Sequence, residues 1–264
     1  MTAPALILVT DGFGDPRVEQ VAHSLRREMQ VRRTELSIHL AFTDKSKPTL
    51  NQVLASLTNR KVKEAVLVPL EVTRVAQASH KMVALFEEAR TRYPSIKISL
   101  ARPLGPAPEF LNIVDERLRA ALTTNRCWEL DGLVLLAPDC GDTRGNGLLA
   151  RRARQWASHH KLPVTSAVGD GAGQSVSAAI AALREQGRRN IAVGALFLAA
   201  TQEFHQQAEA AIAAGAIAFS APFGPDPRMT DIIMSRYAFA AMNMLGDNEL
   251  DLEAEMPVAK LSTI

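Results

Sequence analysis

The chain has 264 residues, 47% of them hydrophobic, and a formal net charge of +2, which is enough apolar material for two ordinary domains and excludes a disordered polyelectrolyte. The near balance of 30 basic and 28 acidic side chains excludes a strong field for nucleic acid. Two cysteines without a CxxC pair exclude a disulfide framework or a structural zinc site.

In chain order, ALILVT (5–10) is a short apolar run suited to a strand buried on both faces. DPRVEQVAHSLRREMQ (15–30) places Val18, Val21, Ala22 and Leu25 at helical spacing, with Asp15 as cap and Pro16 in the first turn. LSIHLAF (36–42) is the second strand. TLNQVLASLTNR (49–60) is a helix with Leu50, Val53, Leu54 and Leu57 on one face. EAVLVPLEV (64–72) is the third strand, SHKMVALFEEARTRY (79–93) a helix, IKISLARPL (96–104) the fourth strand, and PEFLNIVDERLRAAL (108–122) a helix that closes the unit. Strands alternating with helices of this length predict βαβ units around a parallel sheet, with helices on both faces.

The pattern then repeats. ALILVTDGFGDPR (5–17) aligns with GLVLLAPDCGDTR (132–144), residues 48–72 with 174–198, and ARPLGPAPEFLNIVDERL (101–118) with SAPFGPDPRMTDIIMSRY (220–237). The three blocks keep their order, so the fold class is α/β, two tandem copies of one parallel-sheet domain. The expected units are 1–124 and 130–243, followed by an acidic, solvated tail over 246–264. Ligands of such sheets bind at the strand exits, here 10–17, 43–48, 71–80 and 103–108, and 137–144, 168–174, 197–205 and 222–227. No run reaches the roughly 18 apolar residues of a spanning helix, and the first residues lack a basic leader, so the expected setting is the cytoplasm.

The order LILVTDGFGDPR, KPTLNQVLASLTNRKVKEAVLVPLEV and ISLARPLGPAPEFLNIVDERL resembles the class II tetrapyrrole chelatases. The nearest branch is the sirohydrochlorin chelatases of siroheme and cobalamin biosynthesis, in their long two-domain form. The resemblance implies a chelatase fold and a lyase that inserts Fe²⁺, Co²⁺ or Ni²⁺ into a carboxylate-rich tetrapyrrole. It implies no bound cofactor, the metal being the co-substrate, and no nucleic acid or membrane partner. A single chain can supply both walls of the cleft, and the sequence leaves monomer and homodimer open. In that family the first strand exits to a histidine and the third leads to a second. Here those positions are Asp11 and Gln77, and in the second copy Pro138 and Glu203.

Insertion needs a base for two pyrrole protons and ligands that hand over a divalent metal. Asp11 is a hard ligand or the start of an Asx turn. His80, three residues past Gln77, can replace the lost imidazole or can be a solvated residue at a helix start. Glu203 and His205 can share a metal or act as base and orienter, provided TQEFHQQ (201–207) is a loop, since spacing i, i+2 does not share a helix face. The expected catalytic set is therefore Asp11, Glu203 and His205, and the metal set Asp11, Gln77, His80, Glu203 and His205. Arg17, Arg74, Arg102 and Arg144, with Lys81, fall at or near strand exits, where Arg suits carboxylates. Glu71 ends an apolar run and has Arg74 three residues on as a partner. Cys140 beside Asp139 reads as a ligand or a small buried hydrophobe, GDGAG (169–173) as a turn, His159 and His160 as helix-end or surface residues, and His23 and His39 as structural. Two further readings stay open: a chelatase-fold protein that binds a tetrapyrrole or metal without insertion, and a different small-ligand binder on the same scaffold.

Overall fold

The computed structural model describes residues 3–75, 77–138, 143–169 and 173–255, with side chains through Met244. Sixteen elements alternate: β1 (Ala5–Thr10), α1 (Pro16–Arg32), β2 (Ile38–Phe42), α2 (Leu50–Asn59), β3 (Glu64–Pro69), α3 (His80–Arg92), β4 (Lys97–Leu100), α4 (Phe110–Thr124), then β5 (Gly132–Ala137), α5 (Thr143–His160), β6 (Val164–Val168), α6 (Val176–Glu185), β7 (Ile191–Ala195), α7 (Gln202–Ala213), β8 (Ala218–Phe219) and α8 (Pro227–Glu255). They build two parallel four-stranded sheets of matching order, β2-β1-β3-β4 and β6-β5-β7-β8. The chain reverses direction across each sheet between its two central strands, β1 and β3 or β5 and β7, and leaves a crevice at their carboxyl ends.

Side chains alternate across each strand and so separate three apolar layers. In β1, Ile7 and Val9 face α2 and α3, which with Leu54, Leu57 and Met82 close the outer face of the first sheet. Leu6 and Leu8 face the other way, into a core that also holds Leu133 and Leu135 of β5. The matching outer layer of the second sheet joins Val134 and Leu136 to Ile180, Leu183 and Phe204. The shared middle layer contains α1, α4, α5 and α8, and fuses the two halves.

That middle layer corrects one expectation. The helix at 108–122 does not close the first unit: α4 packs on β7 and β8 of the second sheet, and α8 packs on β3 and β4 of the first. Several bonds fix the exchange. Arg117 donates to the Phe223 carbonyl at 3.2 Å, Arg236 to the Leu104 carbonyl at 3.1 Å, and the Tyr237 hydroxyl to the Pro4 carbonyl at 2.7 Å. Gly194 in β7 makes the room: a Cβ there would lie 2.4 Å from Val114 Cγ1 of α4 and 2.6 Å from Trp156 Cη2 of α5.

Two other differences have local causes. β3 and β4 stop at Pro69 and Leu100, short of the runs read from sequence, because Pro69 lacks a donor and Pro103, Gly105 at φ 66° and Pro106 turn the chain away. The acidic segment read as a tail continues α8 as helix through Glu255, while 256–264 lie outside the described residues. Two of the inner helices, α1 and α8, start on the same device. Asp15 Oδ1 accepts the Arg17 backbone N–H and Nε, both at 2.9 Å, and Asp226 Oδ1 accepts the same pair from Arg228 at 3.0 and 2.8 Å. The Arg228 guanidinium, outweighing burial, holds the Asp226 carboxyl below the usual carboxylate range.

Candidate functional site

The two crevices open on one cavity of about 460 Å³, within the range of small-molecule sites. The first half supplies Thr10 and Asp11 after β1, Thr43 after β2, and Leu70 to Arg74 with Ser79, Lys81 and Met82 after β3. The second half supplies Pro138 after β5, and Phe197, Leu198, Ala199, Thr201 and Glu203 after β7. These are equivalent strand exits, so the internal repeat gives the cavity its two walls.

The loop after β1 is held by several side-chain hydrogen bonds. Asp11 Oδ1 accepts the Phe13 N–H at 2.9 Å, an Asx turn that accommodates Phe13 at φ 52° and Gly14 at φ 62°. Asp44, past β2, accepts the Gly14 N–H at 3.1 Å and the Ser46 N–H and hydroxyl, both at 3.1 Å. Burial pushes the Asp44 carboxyl up, but these backbone and hydroxyl donors outweigh it and hold the group below its ordinary value. Gly12 is required by the same packing, since a Cβ would lie 2.3 Å from Ser46 Oγ. The outcome is that Phe13 stands 74% exposed at the rim of the cavity.

Asp11 faces the cavity as the strand order requires, yet it is engaged. Its Oδ2 accepts the Thr43 hydroxyl at 3.2 Å and forms an ion pair with Lys81 Nζ, a partner 70 residues away in sequence. Glu71 does not pair with Arg74. Both its oxygens accept the Ser79 N–H, at 3.2 and 3.0 Å, and tie the loop to the start of α3. Among the described residues the Arg74 guanidinium has neither a hydrogen bond nor an ion pair, and it lines the cavity as an available cation.

Glu203 lines the opposite wall, and its approach is possible because residue 169 has no side chain: a Cβ on Gly169 would lie 2.3 Å from Glu203 Oε1. His205 does not join it. Thr201 caps α7 by accepting the Phe204 N–H, so TQEFHQQ is helical, and the two side chains diverge. His205 is exposed, its ring edge-on to Phe204 at 5.5 Å, outside the cavity lining but near enough to Asp15 to act on its charge. Gln77 and His80 are exposed and also outside the lining. Among the described residues, no three His, Cys, Asp or Glu ligand atoms converge in the cavity.

The expected cations divide in the same way. Arg74 and Lys81 reach the cavity. Arg17 borders a neighbouring recess but is bound bidentately to Asp15, whose carboxyl it holds below its ordinary value. Arg102 lies over the Phe239 ring at 5.8 Å, and Arg144 stands in the first turn of α5; neither lines the cavity. His39 of β2 shares a hydrogen bond of 2.8 Å with the hydroxyl of Ser37 just before the strand, as a structural residue would, and burial lowers its basicity. Asp139 and Cys140 lie outside the described residues, as do residues 170–172 of the expected turn. Phe13 and Phe197 are the aromatic residues of the cavity, and sequence reasoning singled out neither. For Phe13 a signal was present: an aromatic between two glycines at a strand exit.

Residues 5–121 match the model of the CbiX family. Solved structures extend the likeness to both halves. SirB from Bacillus subtilis, solved with Fe³⁺, is 18% identical with a TM-score of 0.74, over 92% of this chain and 98% of that one. The structure of CbiX, described as the terminal enzyme for biosynthesis of siroheme in denitrifying bacteria, is 18% identical with a TM-score of 0.58, over 90% and 99%. DR2241 from Deinococcus radiodurans, a multi-domain protein with structural similarity to chelatases, gives a TM-score of 0.61 at 16% identity, over 90% of this chain and 55% of that one. Among curated proteins none matches by sequence. The two halves together thus have the fold of SirB and CbiX. Asp11 and Glu203 stand on opposite walls of the cleft, one from each half of the chain.

Proposed function

We propose that the cleft takes a carboxylate-rich tetrapyrrole of the sirohydrochlorin type and promotes insertion of a divalent metal, Fe²⁺ or Co²⁺ first and Ni²⁺ as a further choice. The carrying observation is the pair of carboxylates, Asp11 and Glu203, on facing walls of one cavity in a chain whose residues 5–121 match the CbiX family model. The solved relatives support the substrate class: SirB from Bacillus subtilis subspecies spizizenii is described as a sirohydrochlorin chelatase in complex with cobalt.

Insertion exchanges two pyrrole N–H protons for the metal. Glu203, at the wall formed by Gly169 and Pro138, is the group placed to accept a proton from the ring. Arg74 and Lys81 meet ring carboxylates. Phe13, exposed at the rim, offers a flat apolar face to the macrocycle. Metal and macrocycle are both substrates in this reading, and no resident cofactor is required. Both walls come from one chain, so a monomer suffices. No described helix is long and apolar enough to cross a membrane.

A second reading has its own support. The Asp11 carboxylate is neutralised by Lys81, and no three ligand atoms converge in the cleft. A protein that binds the tetrapyrrole without inserting metal would look like this. Mixing the protein with sirohydrochlorin and Co²⁺ separates the two. Accelerated conversion of the absorbance spectrum over a protein-free control supports insertion. A spectral shift on binding with no acceleration supports the binder.

A further inference from the structure

A different cluster lies at the other end of the second sheet. α5 begins just past the exit of β5 and has 18 residues, so its last turn is about 25 Å away from the cleft at 1.5 Å per residue. In that turn, His160 Nε2 is 2.7 Å from Asp115 Oδ1 of α4, and His159 Nε2 is 4.0 Å from Asp115 Oδ2. All three ligand atoms lie within 4.8 Å of one another. Consecutive residues on a helix diverge by about 100°, yet both imidazoles turn their Nε2 atoms to one carboxylate. An ion pair with His160 accounts for one of them and leaves the other unexplained.

The surroundings fit a metal-binding set. The Trp156 indole N–H donates to Asp115 Oδ1 at 2.6 Å and fixes the carboxylate, as outer-shell donors do at metal sites. Asp115 is only 12% exposed, whereas His159 is 70% exposed beside an open groove, so an ion could enter and keep water on its remaining positions. Metal–ligand bonds of about 2.0–2.2 Å place neighbouring ligand atoms about 3.4 Å apart, and the observed 2.7 and 4.0 Å lie on either side of that value. Two imidazoles with one carboxylate suit borderline divalent transition ions.

We propose that Asp115, His159 and His160 form a second metal site, separate from the cleft, that binds a divalent transition ion of the Zn²⁺, Co²⁺ or Ni²⁺ class and fastens α4 to α5. The first half's exchanged helix is thereby held to the second half by metal as well as by packing. The site stands or falls independently of the chelatase reading.

The chain has two tryptophans, and Trp128 is 81% exposed while Trp156 is buried against the cluster. In tag-free Trp128→Phe protein, Ni²⁺ should quench Trp156 fluorescence with saturation at one equivalent, and should raise the melting temperature. His159→Ala and His160→Ala in that background should each weaken nickel binding at least about tenfold. His159 is exposed, so His159→Ala should keep the metal-free melting temperature while losing the rise with Ni²⁺. Glu203→Gln should leave the quenching curve where it was. Absence of saturable quenching would overturn the proposal. So would quenching that survives His159→Ala and disappears with Glu203→Gln, which would put the ion in the cleft.

Discussion

Gly194→Ala tests the helix exchange that fuses the two halves. On an open strand, alanine in place of glycine stabilises by about 0.5–1 kcal/mol. Here the new Cβ would meet Val114 Cγ1 at 2.4 Å and Trp156 Cη2 at 2.6 Å. Carbon atoms settle at about 3.5–4.0 Å, so each neighbour must retreat by about 1 Å or more. Neither has slack, since Val114 and Trp156 are 0% and 1% exposed. Overpacking of this kind costs about 1–3 kcal/mol, and at about 2–4 °C per kcal/mol the melting temperature should fall by roughly 2–12 °C. Thermal denaturation followed by circular dichroism reads it. Val114→Ala should be destabilising alone but should recover about 1 kcal/mol when combined with Gly194→Ala, because it removes one of the two clashes. A rise in melting temperature with Gly194→Ala, or strict additivity in the double variant, would show that α4 does not lie on β7.

Glu203→Gln should slow metal insertion at least about a hundredfold if the carboxylate takes the ring proton, measured from the visible spectrum; an unchanged rate removes it from the chemistry. Gly169→Ala should slow insertion in the same direction, since its Cβ displaces Glu203 Oε1 from a position 2.3 Å away, and a normal rate would show that the position of Glu203 is immaterial. Lys81→Met should raise Co²⁺ affinity about two- to fivefold by calorimetry, because it frees Asp11 from a half-exposed pair of modest strength; a fall in affinity would contradict an Asp11 contact with metal. Asp226 has a carboxyl held below its ordinary value by Arg228, so its contribution to stability is present above about pH 4 and is lost as pH falls through the lowered folded value. Asp226→Asn should therefore cost about 3 kcal/mol at pH 7 and lose less on acidification than the wild type; parallel acid denaturation curves would refute this.

The sheets were legible because ALILVT and GLVLLA are short apolar runs at matching places in a repeat, each followed by turn residues, as strands buried on both faces read. The exchange of α4 and α8 was not. An amphipathic helix announces that it must cover an apolar face, and nothing in its own sequence says which of two equivalent sheets it covers. The cleft walls followed from the strand exits, so Asp11, Arg74, Lys81 and Glu203 were in view. The pairing of Asp11 with Lys81 was hidden by a separation of 70 residues. His205 was misplaced because one hydroxyl, that of Thr201, decides whether 201–207 is loop or helix. His159 and His160 looked like surface residues because Asp115, the group that draws them together, lies on another helix.

The most direct test of the central claim is a stopped-flow or manual absorbance assay with sirohydrochlorin and Co²⁺, comparing wild type, Glu203→Gln and a protein-free control. The account predicts that wild type accelerates insertion well beyond the control and that Glu203→Gln loses most of that acceleration. Wild-type progress curves that coincide with the protein-free control would contradict it.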